Sequence, residues 1–263
     1  MNRDITMKEG QTAARLRNAG RRLSEKDFSS RIDAILSEGT DSFFTVGSPL
    51  GLVYVGVGGG GVRLLAPRIE KDSEFIRRYG EEVGRLVVPD DEGRLDGLRR
   101  KVEAAFAGER VEVPVDLTGR TVFQRRVMEV VLGIPRGEVR PYNWVAAETG
   151  NPGASRAVGT VMAKNPIPLI VPCHRVIRND GATGNYGYDP EEKVRLLKGE
   201  GVPVDEVARA PYIATPTTGI VCHATCRHAR RIKPENRRPF RSLNSALGFG
   251  FRPCKVCRPV VAA

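Results

Sequence analysis

The sequence predicts an α/β body followed by a small module held together by cysteines. The chain has 263 residues, which is long enough for about two domains of ordinary size. Apolar runs between residues 43 and 65 predict strands, and later stretches carry helical spacing. Four of the five cysteines lie in the last 42 residues. We therefore expect a helical extension over 1–40, an α/β domain over 41–118, a second domain over 119–203 and a cysteine-bearing α+β module over 204–263.

Composition and charge narrow the classes of function. A hydrophobic content of 40% excludes a wholly disordered chain. The net charge is +11, and residues 211–263 hold ten basic side chains against one acid, Glu235. This concentration predicts a surface that follows the phosphates of DNA, although a solvated basic surface is the simpler alternative. No apolar run reaches the ~20 residues of a membrane span, and no signal sequence is apparent. We expect a soluble, cytoplasmic, nucleoid-associated monomer with no membrane partner.

The first half of the chain shows no evident chemistry. Its predicted elements are short amphipathic helices over 7–38, strands at 43–46, 52–55 and 62–65, helices over 71–107 and an extended piece over 111–117. The glycine-rich stretch 56–61 lacks the Lys-Ser/Thr ending of a phosphate-binding loop. We therefore expect a hairpin turn there.

Helix start and stop signals are clearer in the second half. Thr121 and Gln124 form a capping-box pattern ahead of apolar residues at helical spacing. Asp189 precedes a Pro-Glu-Glu run and is predicted to cap a helix that ends near Glu200. Residues 201–219 are interpreted as the linker to the terminal module.

A helix-turn-helix-like pair is predicted between these two helices. The first short helix begins at Asn143 and ends at Gly150, and the second runs from Asn151 until Asn165-Pro166 stops it. In a DNA-binding protein the second helix would face the DNA. Helix pairs also occur in proteins that never touch DNA, so the pattern alone leaves both interpretations open.

Cys173 stands apart from the other cysteines and is followed directly by His174, within the run 170–176. We expect this run to be extended, which sends the two side chains to opposite faces, so that a water would carry a proton between them. His174, Arg175 and a carboxylate behind the imidazole are expected to raise the thiolate fraction. A buried, inert cysteine is the structural alternative, and the Cys-His dipeptide alone does not exclude it.

Four motifs around Cys173 resemble those of the O6-alkylguanine-DNA alkyltransferase family. They are Arg156-Ala157-Val158-Gly159, Asn165-Pro166, Pro172-Cys173-His174-Arg175-Val176 and Gly184-Asn185-Tyr186. The resemblance covers about residues 43–203. It implies a ribonuclease-H-like α/β domain followed by a winged-helix-like domain that holds the cysteine.

The same resemblance implies an enzyme, a methylated-DNA–protein-cysteine S-methyltransferase that acts once. Its substrate would be double-stranded DNA carrying O6-alkylguanine, or O4-alkylthymine, with the damaged base flipped out of the duplex. The alkyl group would move irreversibly onto Cys173. A saturated carbon is a soft electrophile that matches a thiolate, and the leaving oxygen needs hydrogen-bond donors.

Roles in the chemistry follow from the resemblance residue by residue. Cys173 would be the nucleophile, His174 a water-mediated base and Glu200 the carboxylate that orients His174. Asn165 would hold the active-site turn. Tyr142 would press the phosphate on the 3′ side and donate a hydrogen bond to the departing base.

The resemblance also assigns residues to the DNA and the flipped base. Arg156 would enter the base stack in place of the flipped nucleotide. The remaining contacts would involve Asn143 and Asn151 on the DNA backbone, the Val176 carbonyl on the guanine amino group, and Tyr186 and Gly187 at the base. Some family members have serine where this chain has Gly187, which offers only its backbone N–H to O6 and alters the room for bulky alkyl groups.

The terminal cysteines form two close pairs, Cys222-x3-Cys226 and Cys254-x2-Cys257. This spacing is typical of a closed tetrahedral zinc site, and a small module with few large apolar residues needs such a cross-link. Two disulfides are the alternative, which a reducing compartment disfavours. We expect one structural Zn²⁺ held by the four thiolates and no organic cofactor. The neighbouring histidines, His223 and His228, are expected at the surface.

The terminal module resembles the metal-binding domain of the bacterial adaptive-response (Ada) protein. The motifs are Thr217-Thr218-Gly219-Ile220-Val221-Cys222, Pro234-Glu235-Asn236 and Gly250-Phe251-Arg252-Pro253-Cys254-Lys255-Val256-Cys257. The resemblance implies that Cys222 accepts a methyl group from a methylphosphotriester of the DNA backbone. Two alternatives are a module that only anchors the protein on DNA, and a regulatory DNA binder switched by methylation.

Overall fold

A computed structural model describes residues 39–261 of the chain. The helices predicted over 7–38 lie outside these residues. Within the described range, no helix is both long enough and apolar enough to cross a bilayer.

The first half builds a four-stranded sheet with helices packed on it. Its strands are β1 (Thr40–Ser48), β2 (Gly51–Gly58), β3 (Gly61–Pro67) and β4 (Leu86–Pro89), in the order β3-β2-β1-β4. Strands β1, β2 and β3 pair antiparallel, and the glycine-rich stretch forms the hairpin turn between β2 and β3 as predicted. Helices α1 (Asp72–Val83) and α2 (Asp96–Ala107) follow β3 and β4. The helical prediction for 71–107 is wrong at β4, which is a short strand that pairs with β1.

Successive side chains of a strand point to opposite faces of the sheet, so each face of this sheet carries its own apolar layer. One face of the sheet packs Phe43, Tyr54 and Leu64 against Phe75 and Tyr79 of α1. The opposite face joins the main core, where it meets α2 and the helices of the second half. The predicted extended piece at 111–117 lies beside the start of β3, because Val115 bridges to Val62.

The second half is mainly helical. Its elements are α3 (Val122–Leu132), β5 (Arg140–Pro141), α4 (Tyr142–Glu148), α5 (Ser155–Ala163), β6 (Val176–Ile177) and α6 (Pro190–Gly199). The predicted capping box is present, since Gln124 N–H donates to the Thr121 hydroxyl and the Gln124 amide oxygen accepts from Thr121 N–H. Asp189 caps α6 by accepting from Glu191 N–H. Helices α4 and α5 form the predicted helix pair, but α5 begins at Ser155 rather than at Asn151, because residues 151–154 form the turn between the two helices.

The segment around Cys173 differs from the prediction. Residues Cys173–Arg175 form a single 3₁₀ turn rather than an extended run. Asn165 closes the preceding loop, because its side chain bonds to the backbone of both Ile167 and Val171. Side chains of a 3₁₀ turn do not alternate between two faces as those of a strand do. The prediction that Cys173 and His174 point to opposite faces therefore does not apply.

The terminal module is a second small sheet with short helices. Its elements are α7 (Val204–Arg209), β7 (Tyr212–Thr215), β8 (Ile220–His223), α8 (Arg227–Arg230), β9 (Arg238–Phe240), α9 (Leu243–Gly248) and β10 (Arg252–Pro253). The strand order is β10-β8-β7-β9, so β7 is an inner strand. The interpretation of 201–219 as a linker is therefore wrong. Tyr212 and Ala214 pack under α9 while Ile213 packs against the cysteines, which makes β7 part of the module's core.

Candidate active site and metal centre

Cys173 lines the wall of a cavity of about 380 Å³. The thiol belongs to a residue that is only 6% exposed, and it is not part of a disulfide. The carboxyl end of α5 supplies one wall, and the loop before α6 supplies another. The other lining residues are Arg78, Glu82, Arg120, Met162, Ala163, Lys164, Asn165, Pro168, Tyr186, Gly187 and Tyr188.

Asn165 organises the turn that carries the thiol. Its Nδ2 donates to the Val171 carbonyl at 2.8 Å, and its Oδ1 accepts from Ile167 N–H at 3.0 Å. The Asn165 side chain also acts to lower the pKa of Cys173. The amide thus bonds to the loop at two points and lies close enough to Cys173 to affect its thiol.

His174, the residue after Cys173, pairs with Glu200 beside a separate cavity of about 230 Å³. His174 is fully buried, and its Nε2 lies 2.9 Å from Glu200 Oε1. Arg175 grips the same carboxylate with two bonds of 2.8 Å, and Gly137 N–H donates to it at 3.2 Å. Burial acts to raise the pKa of Glu200, but the bonds from His174 and Arg175 hold that pKa far below its usual value. Glu200 is therefore an anion that fixes the ring, in the geometry expected of an orienting carboxylate.

The second nitrogen of this imidazole makes no hydrogen bond within the described part of the chain. His174 Nδ1 is buried and has no hydrogen-bond partner among the described residues. Burial lowers the pKa of His174 despite the opposing charge of Glu200. The ring is therefore neutral at pH 7 and able to accept a proton.

The thiol itself differs from the expectation of a raised thiolate fraction. Burial raises the pKa of Cys173, against the opposing effects of its Asn165 hydrogen bond and the Lys193 charge. Arg175 points to Glu200 and to the Ile134 carbonyl, so it does not supply the expected charge at the sulfur. The Cys173 side chain is therefore a neutral thiol at pH 7.

Lys193 is a site residue that the sequence reasoning missed. It is 1% exposed, and its Nζ donates to the Val176 carbonyl at 2.7 Å and lies 5.9 Å from the centre of the Tyr142 ring. Burial lowers the pKa of Lys193 to about 8. The sequence does contain a signal for a buried lysine, because Lys193 shares the buried face of α6 with Leu196 and Leu197.

Two tyrosines lie close to the thiol. Burial raises the pKa of Tyr142, and the nearby Cys173 adds to that effect. The Tyr186 hydroxyl is buried beside Cys173 and makes no hydrogen bond of normal geometry within the described chain. Both phenols are therefore protonated donors at neutral pH. The Val176 carbonyl, which was expected to read the guanine, already accepts a bond from Lys193 and keeps a second lone pair.

Gly187 leaves the cavity open on one side. A Cβ atom at this position would meet only the Ala163 carbonyl oxygen, at 3.6 Å. The first-half sheet domain also reaches this cavity through Arg78 and Glu82, which form an ion pair on α1. No sequence signal marked these two residues, because they come to the site only through tertiary packing.

The residues expected to touch DNA fall into two groups. Arg156 and Asn151 are exposed, and Arg156 shares with Tyr142 an open groove of about 380 Å³ along α5. Asn143 is buried, and its Nδ2 donates to the carbonyl of Val260 at 3.3 Å. A phosphate can contact Asn143 only where the terminal segment moves away.

The four terminal cysteines converge on one point. The Sγ atoms of Cys222, Cys226, Cys254 and Cys257 all lie within 4.8 Å of one another, and all four residues are buried. A tetrahedron of sulfurs around zinc has edges of about 3.8 Å, so the cluster has the size and the donors of a structural zinc site. Backbone N–H groups of His223 and Val256 point at Cys257 and Cys254, each at 3.4 Å from the sulfur, which supports thiolate ligands.

The histidines beside the ligands differ from each other. His228 is exposed as expected. His223 is buried at 3% exposure with its ring against Tyr212, so the expectation of a surface residue is wrong there. Its position in β8, inside the sheet, is the reason.

Two family models match consecutive parts of the chain. The DNA binding domain of 6-O-methylguanine DNA methyltransferase matches residues 122–202, and the metal binding domain of Ada matches residues 206–260. The first region contains the Cys173 cavity, and the second contains the four-cysteine site. The four cysteines are therefore the ligands of a structural zinc site.

Known proteins are similar to the body of the chain. A methylated-DNA–protein-cysteine methyltransferase of Mycobacterium bovis is 46% identical over 109 residues, which are 41% of this chain and 66% of that protein. Crystal structures of the Mycobacterium tuberculosis O6-methylguanine methyltransferase, and of its OGT in complex with DNA, have TM-scores of 0.50. The first is 36% identical and covers 61% of this chain and 92% of that one; the second is 35% identical and covers 64% and 98%.

The fold, the cavity cysteine and these matches place the chain in the class of protein-cysteine methyltransferases. It belongs to the methylated-DNA–protein-cysteine methyltransferase family and carries an Ada-type metal-binding region at its carboxyl side. The matches span just under two thirds of the length of the first mycobacterial relatives.

Proposed function

We propose that this protein repairs DNA by moving the alkyl group of O6-alkylguanine onto Cys173 in one irreversible step. The observation that carries this function is a buried thiol on the wall of a cavity, backed by a neutral His174 and an ionised Glu200. O4-alkylthymine offers the same kind of carbon–oxygen bond and is the second substrate of the proposal. The sulfur–carbon bond forms as the carbon–oxygen bond breaks, and the thioether that remains cannot react again.

Proton movement follows the buried network. A water at His174 Nδ1 takes the Cys173 proton and passes it to the imidazole, whose positive charge Glu200 stabilises. Because the resting thiol is neutral, a thiolate forms only with this transfer. Tyr142 donates a hydrogen bond to the departing guanine and compensates the charge that develops on the base. The guanine anion takes the Tyr142 hydroxyl proton, the tyrosinate regains a proton from water as the His174 imidazolium releases one to water, and unmodified guanine remains in the DNA strand.

Recognition of the lesion is proposed to use the adjacent groove. The flipped base enters the cavity between Tyr186, Gly187 and the Val176 carbonyl, while Arg156 from α5 fills the gap left in the duplex. Asn151 contacts the DNA backbone, and Asn143 joins it when the terminal segment is displaced. Asn165 keeps the turn of Cys173 in place throughout.

The same proposal covers the domain folds, the oligomeric state and the location of the protein. The sheet domain over 41–118 is taken to be ribonuclease-H-like and the domain over 119–203 to be winged-helix-like. The protein would act as a monomer on double-stranded DNA, in the cytoplasm and associated with the nucleoid. The basic module over 204–263 adds phosphate contacts.

A second acceptor is proposed at Cys222. A zinc ion with four thiolates carries a net negative charge, and alkylation of one ligand makes the centre less negative, which strengthens its attraction to phosphate. Cys222 would accept a methyl group from a methylphosphotriester. The alternatives are a module that only anchors the protein on DNA and a regulatory DNA binder that is switched by methylation.

Peptide mapping identifies the first acceptor. The protein is mixed with duplex DNA that carries O6-methylguanine, digested and analysed by mass spectrometry. We expect the methyl group on Cys173 in the wild type and on no residue in Cys173→Ser. A wild-type chain that leaves the lesion intact contradicts the proposal.

The same mapping with methylphosphotriester DNA tests Cys222. Methyl on Cys222 supports repair, and its absence supports the anchor. An anchor also predicts a shallower dependence of DNA affinity on salt, by about 1 unit of slope for each lost phosphate contact, when the exposed Arg231, Lys233 and Arg241 are changed to Gln. A regulatory binder instead requires sequence-specific affinity that rises after methylation.

A further inference from the structure

The terminal module is docked on the alkyltransferase body. Residues from Asp41 onwards form one compact unit. The segment 225–230, called here the ligand loop because it contains Cys226, lies against the strip 137–139 that precedes β5. Zinc coordination at Cys226 therefore fixes a loop that touches the body directly.

Four hydrogen bonds, made by three residues of the ligand loop, join it to this strip. The Thr225 hydroxyl, fully buried, accepts from Val139 N–H at 2.9 Å and reaches the Val139 carbonyl at 3.4 Å. The backbone N–H of Arg227 donates to Glu138 Oε1 at 3.0 Å, and Glu138 is itself buried against Arg140. Arg230 donates to the Gly137 carbonyl.

The other side of the strip faces the alkyl-transfer site. Gly137 N–H donates to Glu200 Oε2 at 3.2 Å, and Glu200 holds His174. Gly137 has a left-handed φ of 75°, and a Cβ atom there would lie 2.8 Å from the Glu200 carbonyl oxygen and 3.1 Å from the Arg230 guanidinium. The peptide of Gly137 is thus clamped between Arg230 and Glu200.

The strip leads directly into the cysteine loop. Strand β5 begins at Arg140 and pairs in parallel with β6, whose first residue, Val176, follows the turn of Cys173. The distance in sequence from the ligand loop to this turn is about 50 residues, but only one strip of backbone separates them in space.

We propose that Thr225 and Arg230 are positioning residues for the alkyl transfer, acting through Gly137 on the Glu200–His174 pair. The inference rests on the proposed function of Cys173. The zinc-organised loop holds the strip 137–139 in one place, and the strip presents Gly137 N–H to Glu200. A chain with a loosened ligand loop keeps Cys173 but orients His174 less well.

The test uses the zinc-loaded full chain and two independent variants. Thr225→Val removes the hydroxyl at nearly constant volume, and Arg230→Ala removes the guanidinium. Thr225→Ser is the rescue variant, and Thr218→Val is the matched control, because Thr218 is an exposed threonine in the turn before β8. Zinc content is measured for every variant.

Three quantities are measured for each variant: the hydrogen-exchange rate of the Gly137 amide, the NMR signals of the His174 ring, and the rate of methyl transfer to Cys173 with its pH profile. With zinc retained, we expect Thr225→Val and Arg230→Ala to speed exchange at Gly137, move the His174 signals and slow the transfer by about 2- to 30-fold. Thr225→Ser and Thr218→Val should match the wild type.

The outcomes separate this inference from the proposed function. Unchanged exchange, ring signals and rate in both zinc-retaining variants overturn the coupling while repair stands. A wild type that transfers no methyl overturns the proposed function and with it the positioning of alkyl transfer by Thr225 and Arg230. If one variant fails to fold, the other decides by the same criteria.

Discussion

Burial decides how the Cys173 thiol behaves. Its pKa is raised, so the sulfur is a poor nucleophile towards reagents in solution until a base removes the proton. In the proposed mechanism His174, held by Glu200, is that base, and Lys193 supplies a nearby positive charge. This arrangement suits a residue that reacts once and has to be kept for its proper substrate.

Lys193 gives the first prediction. Because its charge lowers the Cys173 pKa, Lys193→Met should slow alkylation of Cys173 by iodoacetamide at pH 7 by about fivefold, as loss of ~1 kcal/mol of electrostatic stabilisation gives. The pKa of Lys193 is about 8, so the wild-type lysine loses its charge as the pH rises and the difference between the two proteins should vanish by about pH 9.5. Modification rates followed by mass spectrometry across this range measure both effects. Lys198→Met, at an exposed position of the same helix, serves as the control, and a difference that persists at high pH would count against an electrostatic role.

Gly187 gives the second prediction. The position has room for a side chain, so Gly187→Ser should fold normally but narrow the cavity. Transfer of a benzyl group should slow relative to a methyl group by about tenfold, the lower range for a small steric change in a pocket. The ratio of the two rates on matched oligonucleotides is the measurement. An unchanged ratio would show that residue 187 does not form the part of the cavity wall that limits the size of the alkyl group.

At the scale of elements, long and well-capped segments were predictable and short ones were not. The β2–β3 hairpin and the caps of α3 and α6 follow from local chemistry that the sequence displays. Strands β4 and β7 have four residues each, and pairing with neighbours rather than their own pattern defines them. The turn at Cys173 depends on the side chain of Asn165, which no periodicity reveals.

The capping box of α3 carries an element-scale prediction. Thr121→Ala removes the hydroxyl that accepts from Gln124 N–H and should lower the free energy of unfolding by about 1 kcal/mol. Urea unfolding measures it, and Thr121→Ser should retain most of the stability. Equal loss in both variants would mean that the methyl group, not the cap, provides the stabilisation.

In the candidate site, too, some residues could be predicted from the sequence and others could not. Motifs located Cys173 and Asn165, which line one cavity, and His174 and Glu200, which pair beside a second cavity. Arg78 and Glu82 reach the Cys173 cavity from a different domain, which a sequence without long-range contacts cannot reveal. Asn143 was expected at a free surface, but the terminal segment covers it, because the position of the module depends on tertiary packing.

At the scale of the whole molecule, the body and the module depend on different forces. The body has an extended apolar core, whereas four of the six buried residues around the metal centre are cysteines. Chelation of zinc should therefore unfold the module while the body stays folded. Limited trypsin digestion should then cut first among the arginines of 227–241, and added zinc should restore resistance. Simultaneous loss of the body would show that the core over 41–203 needs the metal.

If Cys173 is consumed once per chain, a titration of the protein with lesion DNA must reach a fixed end point. A fixed amount of protein is mixed with increasing O6-methylguanine duplex, and the intact mass of the chain and the repaired DNA are quantified. We expect one methyl group per wild-type chain, repaired guanine that stops at one equivalent, and no transfer to Cys173→Ser. Repair beyond one equivalent, or repair by Cys173→Ser, would show that Cys173 is not the single-use acceptor.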